Sequence, residues 1–116
     1  STTTAQSNFD PDHFLYRTIR ELADIRKSTP ALRSGETIFR AGSDNPGLLA
    51  FSRILDGREV LVAINTSTKP IESNIVVETS SRRFTPLAGT CPTTASAPGS
   101  VRVTLPALGY AVCDAR

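Results

Sequence analysis

The sequence predicts a mainly β fold, an antiparallel β-sandwich of about seven strands with Greek-key-like connections, preceded by one N-terminal amphipathic α-helix. One stretch near the start repeats its apolar residues at helical spacing between well-specified ends. From Glu36 onward, short β-rich runs alternate with turn signals at the spacing that sandwiches use. The expected organisation is a polar tail or linker over 1–9, the helix over 10–29 and the sandwich over 30–116.

The helix is expected from Asp10 to Ser28. Asp10 is a good N-cap, Pro11 suits the first helical position, and Asp12 complements the positive end of the dipole, as Arg26 and Lys27 do the negative end. Projected at about 100° per residue, Phe14, Leu15, Thr18, Ile19, Leu22 and Ile25 fall on one arc, opposite Arg17, Arg20, Glu21 and Asp24. Such a helix needs a partner for its apolar face. Pro30 biases Thr29 away from helical geometry and closes the element.

The strand candidates are Thr37–Ala41, Leu48–Leu55, Arg58–Asn65, Ile71–Glu78, Arg83–Leu87, Val101–Leu105 and Gly109–Asp114. Asp44-Asn45-Pro46-Gly47 separates the first two, and Asp56-Gly57 is a strong hairpin turn between the second and third. Ile71, Ser73, Ile75 and Val77 alternate with Glu72, Asn74 and Glu78, and Val101, Val103 and Leu105 with Arg102 and Thr104, which marks two half-buried outer strands. Val60-Leu61-Val62-Ala63-Ile64 is apolar on both faces. That pattern predicts a central strand, covered on its second face by the helix or by another domain of a longer polypeptide.

A chain of 116 residues fits one domain and buries roughly two-thirds of its unfolded surface. Its formal charge of +2 is interspersed, without the basic stripe of a nucleic-acid or anionic-membrane surface. No apolar run approaches the roughly 18 residues of a membrane helix. The chain opens without Met on the polar stretch Ser1–Asn8, which has the look of a piece cut from a longer protein.

No catalytic constellation emerges. His13 is the only histidine, it falls in a first helical turn, and no nucleophile-elbow pattern accompanies it. One His, two separated Cys and no close carboxylate cluster supply neither a metal site nor a cofactor site. Among the carboxylates, Asp10 and Asp12 belong to a helix start, Asp44 and Asp56 to turns, and Glu72 and Glu78 to a wet strand face, so no facing acid/base pair is expected. Sugar binding by ring stacking also looks thinly supplied. There is no Trp, Phe14, Phe39, Phe51 and Phe84 sit in apolar patterns that predict core positions, Tyr16 is helical, Tyr110 shares a face with Val112, and Phe9 alone reads as exposed.

Cys91 and Cys113 are the only cysteines. They could be a disulfide, worth about 3 kcal/mol for a loop of about 20 residues, or two ordinary small buried residues. The Pro/Thr/Ser-rich loop after Cys91 favours a staple. A bridge would imply a secreted or periplasmic parent, free thiols a cytoplasmic one.

The run Ile25-Arg26-Lys27-Ser28-Thr29-Pro30-Ala31-Leu32 resembles the junction between the last barrel helix and the C-terminal domain of the α-amylase superfamily. Leu49-Ala50-Phe51-Ser52-Arg53 and Val60 to Ser67 are similar to the next two strands of that domain, which often end on an Asn such as Asn65, and Leu105 to Val112 resembles its closing strand pair. Ala5-Gln6 with Asp10-Pro11-Asp12-His13 resembles the approach from the barrel.

The resemblance implies a non-catalytic accessory β-sandwich whose parent cleaves α-glucosidic bonds with the carboxylates of a (β/α)₈ barrel. No such carboxylate maps onto this chain. The implied partner is the missing barrel, faced by Phe14, Leu15, Ile19, Leu22 and Ile25, with self-association through the same helix face if the barrel is absent. Glycan binding is expected to be weak or absent. An autonomous α-glucan-binding module is the alternative, and a free-standing Ig-like interaction domain is a third reading that leaves the helix unexplained.

Overall fold

The computed structural model describes residues 11–42 and 47–116, with side chains from residue 16 onward. The tail with Phe9, the cap at Asp10 and the Asp44-Asn45-Pro46 turn lie outside the described residues, as do the side chains of His13, Phe14 and Leu15. Among the described residues, helix α1 (Pro11–Ser28) is followed by a short helix α2 (Pro30–Ser34) and seven strands. These are β1 (Glu36–Ala41), β2 (Leu48–Leu55), β3 (Arg58–Asn65), β4 (Ile71–Val76), β5 (Phe84–Ala88), β6 (Ser100–Leu105) and β7 (Tyr110–Ala115). Thr29 is extended at φ −123° and ψ 97°, which ends α1. Pro30 then starts α2, since its fixed φ suits a first helical position.

All pairings are antiparallel. A five-stranded sheet has the order β1-β2-β3-β7-β5, and β4 pairs with β6 in a second, two-stranded sheet. The chain therefore crosses between sheets after β3, β4, β5 and β6, and β7 returns to lie between β3 and β5. The β2–β3 hairpin turns on Asp56 at φ 53° and Gly57 at φ 77°, the two positive φ values that match strand twist in a tight hairpin.

Two apolar cores result. Between the sheets lie Leu61, Ile75, Val77, Phe84, Val101, Val103, Leu105 and Cys113. On the other face of the large sheet, Val60, Val62, Ile64 and Val112 pack under Ala31 and Leu32 of α2, with Leu22 and Ile25 of α1 against them. The strand that reads as apolar on both faces is thus β3, the middle strand of the large sheet, and the helices cover its second face.

The edges of that sheet are blunted. Edge strand β1 is bulged between Phe39 and Ala41 and points Arg40 inward, while edge strand β5 carries Pro86 at its own bulge. Bulges, inward charges and edge prolines all discourage pairing with a stranger strand.

Candidate functional site

The densest group of charged side chains lies inside the sandwich. The Glu59 carboxylate of β3 is fully buried, and Arg40 on β1 is 8% exposed. An Arg40 Nη2 donates to Glu59 Oε2 at 2.9 Å and to Glu78 Oε2 at 2.8 Å, while its Nε donates to Ser52 Oγ at 2.9 Å. Ser52 Oγ donates to Glu59 Oε2 at 2.5 Å. The other oxygen, Oε1, accepts from Ser81 Oγ at 2.7 Å and from the Glu78 backbone N–H at 3.0 Å. Burial opposes ionisation of Glu59, yet the hydrogen bonds from Ser52, Ser81, the Glu78 backbone and Arg40 together hold its carboxyl below the usual glutamate range. Burial likewise works against the Arg40 charge, and its bonds to Glu78 and Glu59 overcome that and raise its pKa.

This constellation cross-links strands; it does not do acid/base chemistry. Both oxygens of Glu59 already accept hydrogen bonds, no substrate can reach them, and the two carboxylates share one guanidinium instead of facing each other across a cleft. Glu78, expected on a wet strand face, belongs to this group: β4 stops at Val76, Val77 bonds to Gly99 O at 3.0 Å, and the chain turns the Glu78 carboxylate towards Arg40. Sequence reasoning also passes over Glu59. Its one signal is a carboxylate joined directly to an unbroken apolar strand.

Asn65 closes β3 at the opposite end of the strand from Glu59. Its buried amide donates to Lys69 O at 2.7 Å and Pro106 O at 3.0 Å, and its Oδ1 accepts from Ser67 N at 2.9 Å and Ser67 Oγ at 2.8 Å. One side chain thereby fixes both the β3–β4 and the β6–β7 connections. Cys91 and Cys113 are joined as a disulfide with Cα atoms 5.9 Å apart, which ties the Pro/Thr/Ser-rich loop to β7.

The helix residues divide. Thr18 is buried and Leu22 and Ile25 are half-buried against the large sheet, whereas Ile19 is 64% exposed. The Tyr110 hydroxyl of β7 donates to the Glu21 carboxylate and pins α1 to the sheet. Desolvation, then the bond to Glu21 and its charge, push the Tyr110 phenol up to about 12, with Arg17 pulling the other way. Tyr16 is exposed, with the Arg20 guanidinium 5.7 Å from its ring centre. Phe39, expected in the core, is 67% exposed. It pairs in register with Phe51 on the helix-bearing face, at the sheet edge, while Arg40 takes the inward direction on β1.

Among the described residues no group of three or more His, Cys, Asp or Glu could hold a metal ion, and no helix is long and apolar enough to cross a membrane. Together the sandwich, the satisfied charge cluster and the helix laid on one sheet define a β-sandwich module built to pack.

The model of the maltogenic amylase C-terminal domain family matches residues 42–112, and the chain belongs to that family. It is a non-catalytic C-terminal accessory domain of the α-amylase type, and the catalytic barrel of such enzymes is not part of it. An α-amylase of Streptomyces lividans is 35% identical over 116 residues, spanning 97% of this chain and 13% of the relative. The α-1,4-glucan:maltose-1-phosphate maltosyltransferase of Picrophilus torridus is 33% identical over 69 residues, 60% of this chain and 11% of that protein. The crystal structure of the debranching enzyme from Nostoc punctiforme superposes with a TM-score of 0.64 at 27% identity, covering 78% of this chain and 19% of that one. This chain therefore spans only a small part of the length of each relative.

Proposed function

We propose that this domain stabilises the catalytic barrel of an α-glucan-active parent by packing against it through α1, without taking part in catalysis. The observation that carries the reading is the split personality of α1. Leu22, Ile25 and the Glu21–Tyr110 bond hold the helix to the sandwich, while Ile19 is left uncovered on the same element. A helix anchored on one side and apolar on another transmits position between two bodies. In the sequence periodicity Phe14 and Leu15 fall on the same arc as Ile19, and their side chains lie outside the described residues. Cleavage of α-glucosidic bonds by the parent is supported by the α-amylase relative. The disulfide supports a secreted or periplasmic setting.

A second reading has one observation in its favour. The exposed rings of Phe39 and Tyr16 supply aromatic surface of the kind sugar rings stack on, so an autonomous α-glucan-binding module is the alternative. Affinity electrophoresis in gels containing soluble starch decides between them. Unchanged mobility of the chain is expected; retardation that increases with starch concentration would overturn the structural role in favour of the module.

A further inference from the structure

From the apolar surface that the helix leaves open, we infer that the barrel-facing contact is a strip running from α1 across the sheet to edge strand β1, and that it receives an apolar side chain flanked by a carboxylate. The inference rests on the proposed function and specifies the surface and the partner's chemistry. Leu22 and Ile25 are half-buried against the chain's own sheet, so they supply at most the inner lining of such a contact. What remains uncovered lies beside them. Ile19 is 64% exposed, Phe39 67% and Leu49 38%. Phe39 and Phe51 are cross-strand partners and Leu49 follows on the same face of β2, so these side chains share the face that bears the helix.

A groove of about 220 Å³ opens between α1 and this face. It is lined by Ile19, Leu22, Phe51 and Val62 together with Arg26 and Arg53, and by no acidic residue. Arg53 is held in place by donating to Gly35 O at 2.8 and 3.2 Å. Arg26, on the last turn of α1, is exposed. An apolar slot lined in part by two arginines and by no acid selects an apolar side chain beside a carboxylate, because a cationic neighbour would be repelled there. The occupant is the remainder of the same polypeptide. The α-amylase relative has 87% of its length outside the matched region, ample to supply that surface. Exposed apolar surface gathered on one face in this way marks an interaction site.

Hydroxyl-radical footprinting of side chains tests this by comparing the 116-residue chain with the full-length polypeptide. Labelling at Ile19 and Phe39 should fall at least about fivefold in the full-length protein, as exposures of 64% and 67% drop to the few per cent of buried residues, while Val76, 63% exposed on the small sheet, should stay unchanged. Arg26→Glu in the full-length protein should restore labelling at Ile19, and Lys27→Glu, one residue along the helix, should not. Protection at Val76 or Leu87 instead of Ile19 and Phe39 would overturn the assigned surface and leave the barrel-stabilising role standing. Protection nowhere would overturn both. Protection of Ile19 and Phe39 that appears in the 116-residue chain alone as its concentration rises would make a second copy the occupant and overturn the inference. An Arg26→Glu variant as protected as wild type would overturn the carboxylate complement.

Discussion

Replacing Arg40 by methionine tests the most heavily bonded group in the domain. The substitution keeps an unbranched side chain on β1 but leaves the Glu59 carboxylate, fully buried, without its only cationic partner among the described residues. Ser52, Ser81 and the Glu78 N–H still donate to it, so the carboxylate is solvated but not neutralised. Breaking a buried pair from one side typically costs about 3–5 kcal/mol. Against a total stability of about 5–15 kcal/mol this is a large fraction, and for a domain of this size it corresponds to a Tm lower by about 10–20 °C.

The pH dependence has a definite sign. In the wild type the Glu59 pKa is lowered on folding, so its contribution is present above the unfolded pKa and lost as pH falls through the folded one. In Arg40→Met the buried carboxylate gains by taking up a proton, so the penalty should shrink as pH falls from 7 towards about 4. Removing both members of the buried pair, Arg40→Met with Glu59→Leu, should recover part of the loss, because an apolar replacement of a buried pair is often close to neutral while Ser52, Ser81 and the Glu78 N–H lose their acceptor. Urea unfolding of the four members of the cycle, with the disulfide oxidised, reads all of this. A single-variant loss under about 1 kcal/mol, or a double variant as unstable as the sum of the singles, would refute the reasoning.

Other outcomes follow from the same structure. Cys91→Ser, or reduction of the bridge, should cost about 3 kcal/mol in chemical denaturation, and the untreated chain should take up no thiol reagent. Asn65→Ala strips partners from the Lys69 and Pro106 carbonyls and the Ser67 N–H together, an expected loss of about 2–4 kcal/mol by thermal or urea unfolding. Tyr110 titrates up to about 12 when folded, above the ordinary phenol value, so what its bond to Glu21 adds is fully present below about pH 10 and declines as pH rises towards the folded value; phenolate absorbance of wild type against Tyr110→Phe should show the late step. Gly57 and Gly89 both have positive φ, yet a Cβ on Gly57 meets nothing within 4 Å, whereas one on Gly89 would sit 2.2 Å from Tyr110 O. Gly57→Ala should therefore cost about 1 kcal/mol, and Gly89→Ala far more, by comparative thermal unfolding.

The sequence is most legible where the chain talks to its near neighbours. The seven strands are placed within a residue or two because alternation and turns such as Asp56-Gly57 are local, and the two-faced apolar pattern of Val60–Ile64 identifies the central strand. Helix α2 is invisible to periodicity because five residues are too few to show a repeat. The charge cluster is hidden for another reason. Its members are separated by 19 and 38 positions and meet only once the sheets have stacked. Alternation on β1 is ambiguous too, since Ile38 and Phe39 are both apolar, and the resolution that buries Arg40 and exposes Phe39 depends on the distant Glu59.

The barrel-stabilising role is tested most directly by calorimetry of the full-length polypeptide with and without residues 30–116. Without the sandwich the catalytic domain should unfold at a lower temperature, with kcat/KM on a soluble oligosaccharide unchanged below that transition. An unaltered unfolding temperature together with a collapse of kcat/KM would place this domain in catalysis and contradict the barrel-stabilising role.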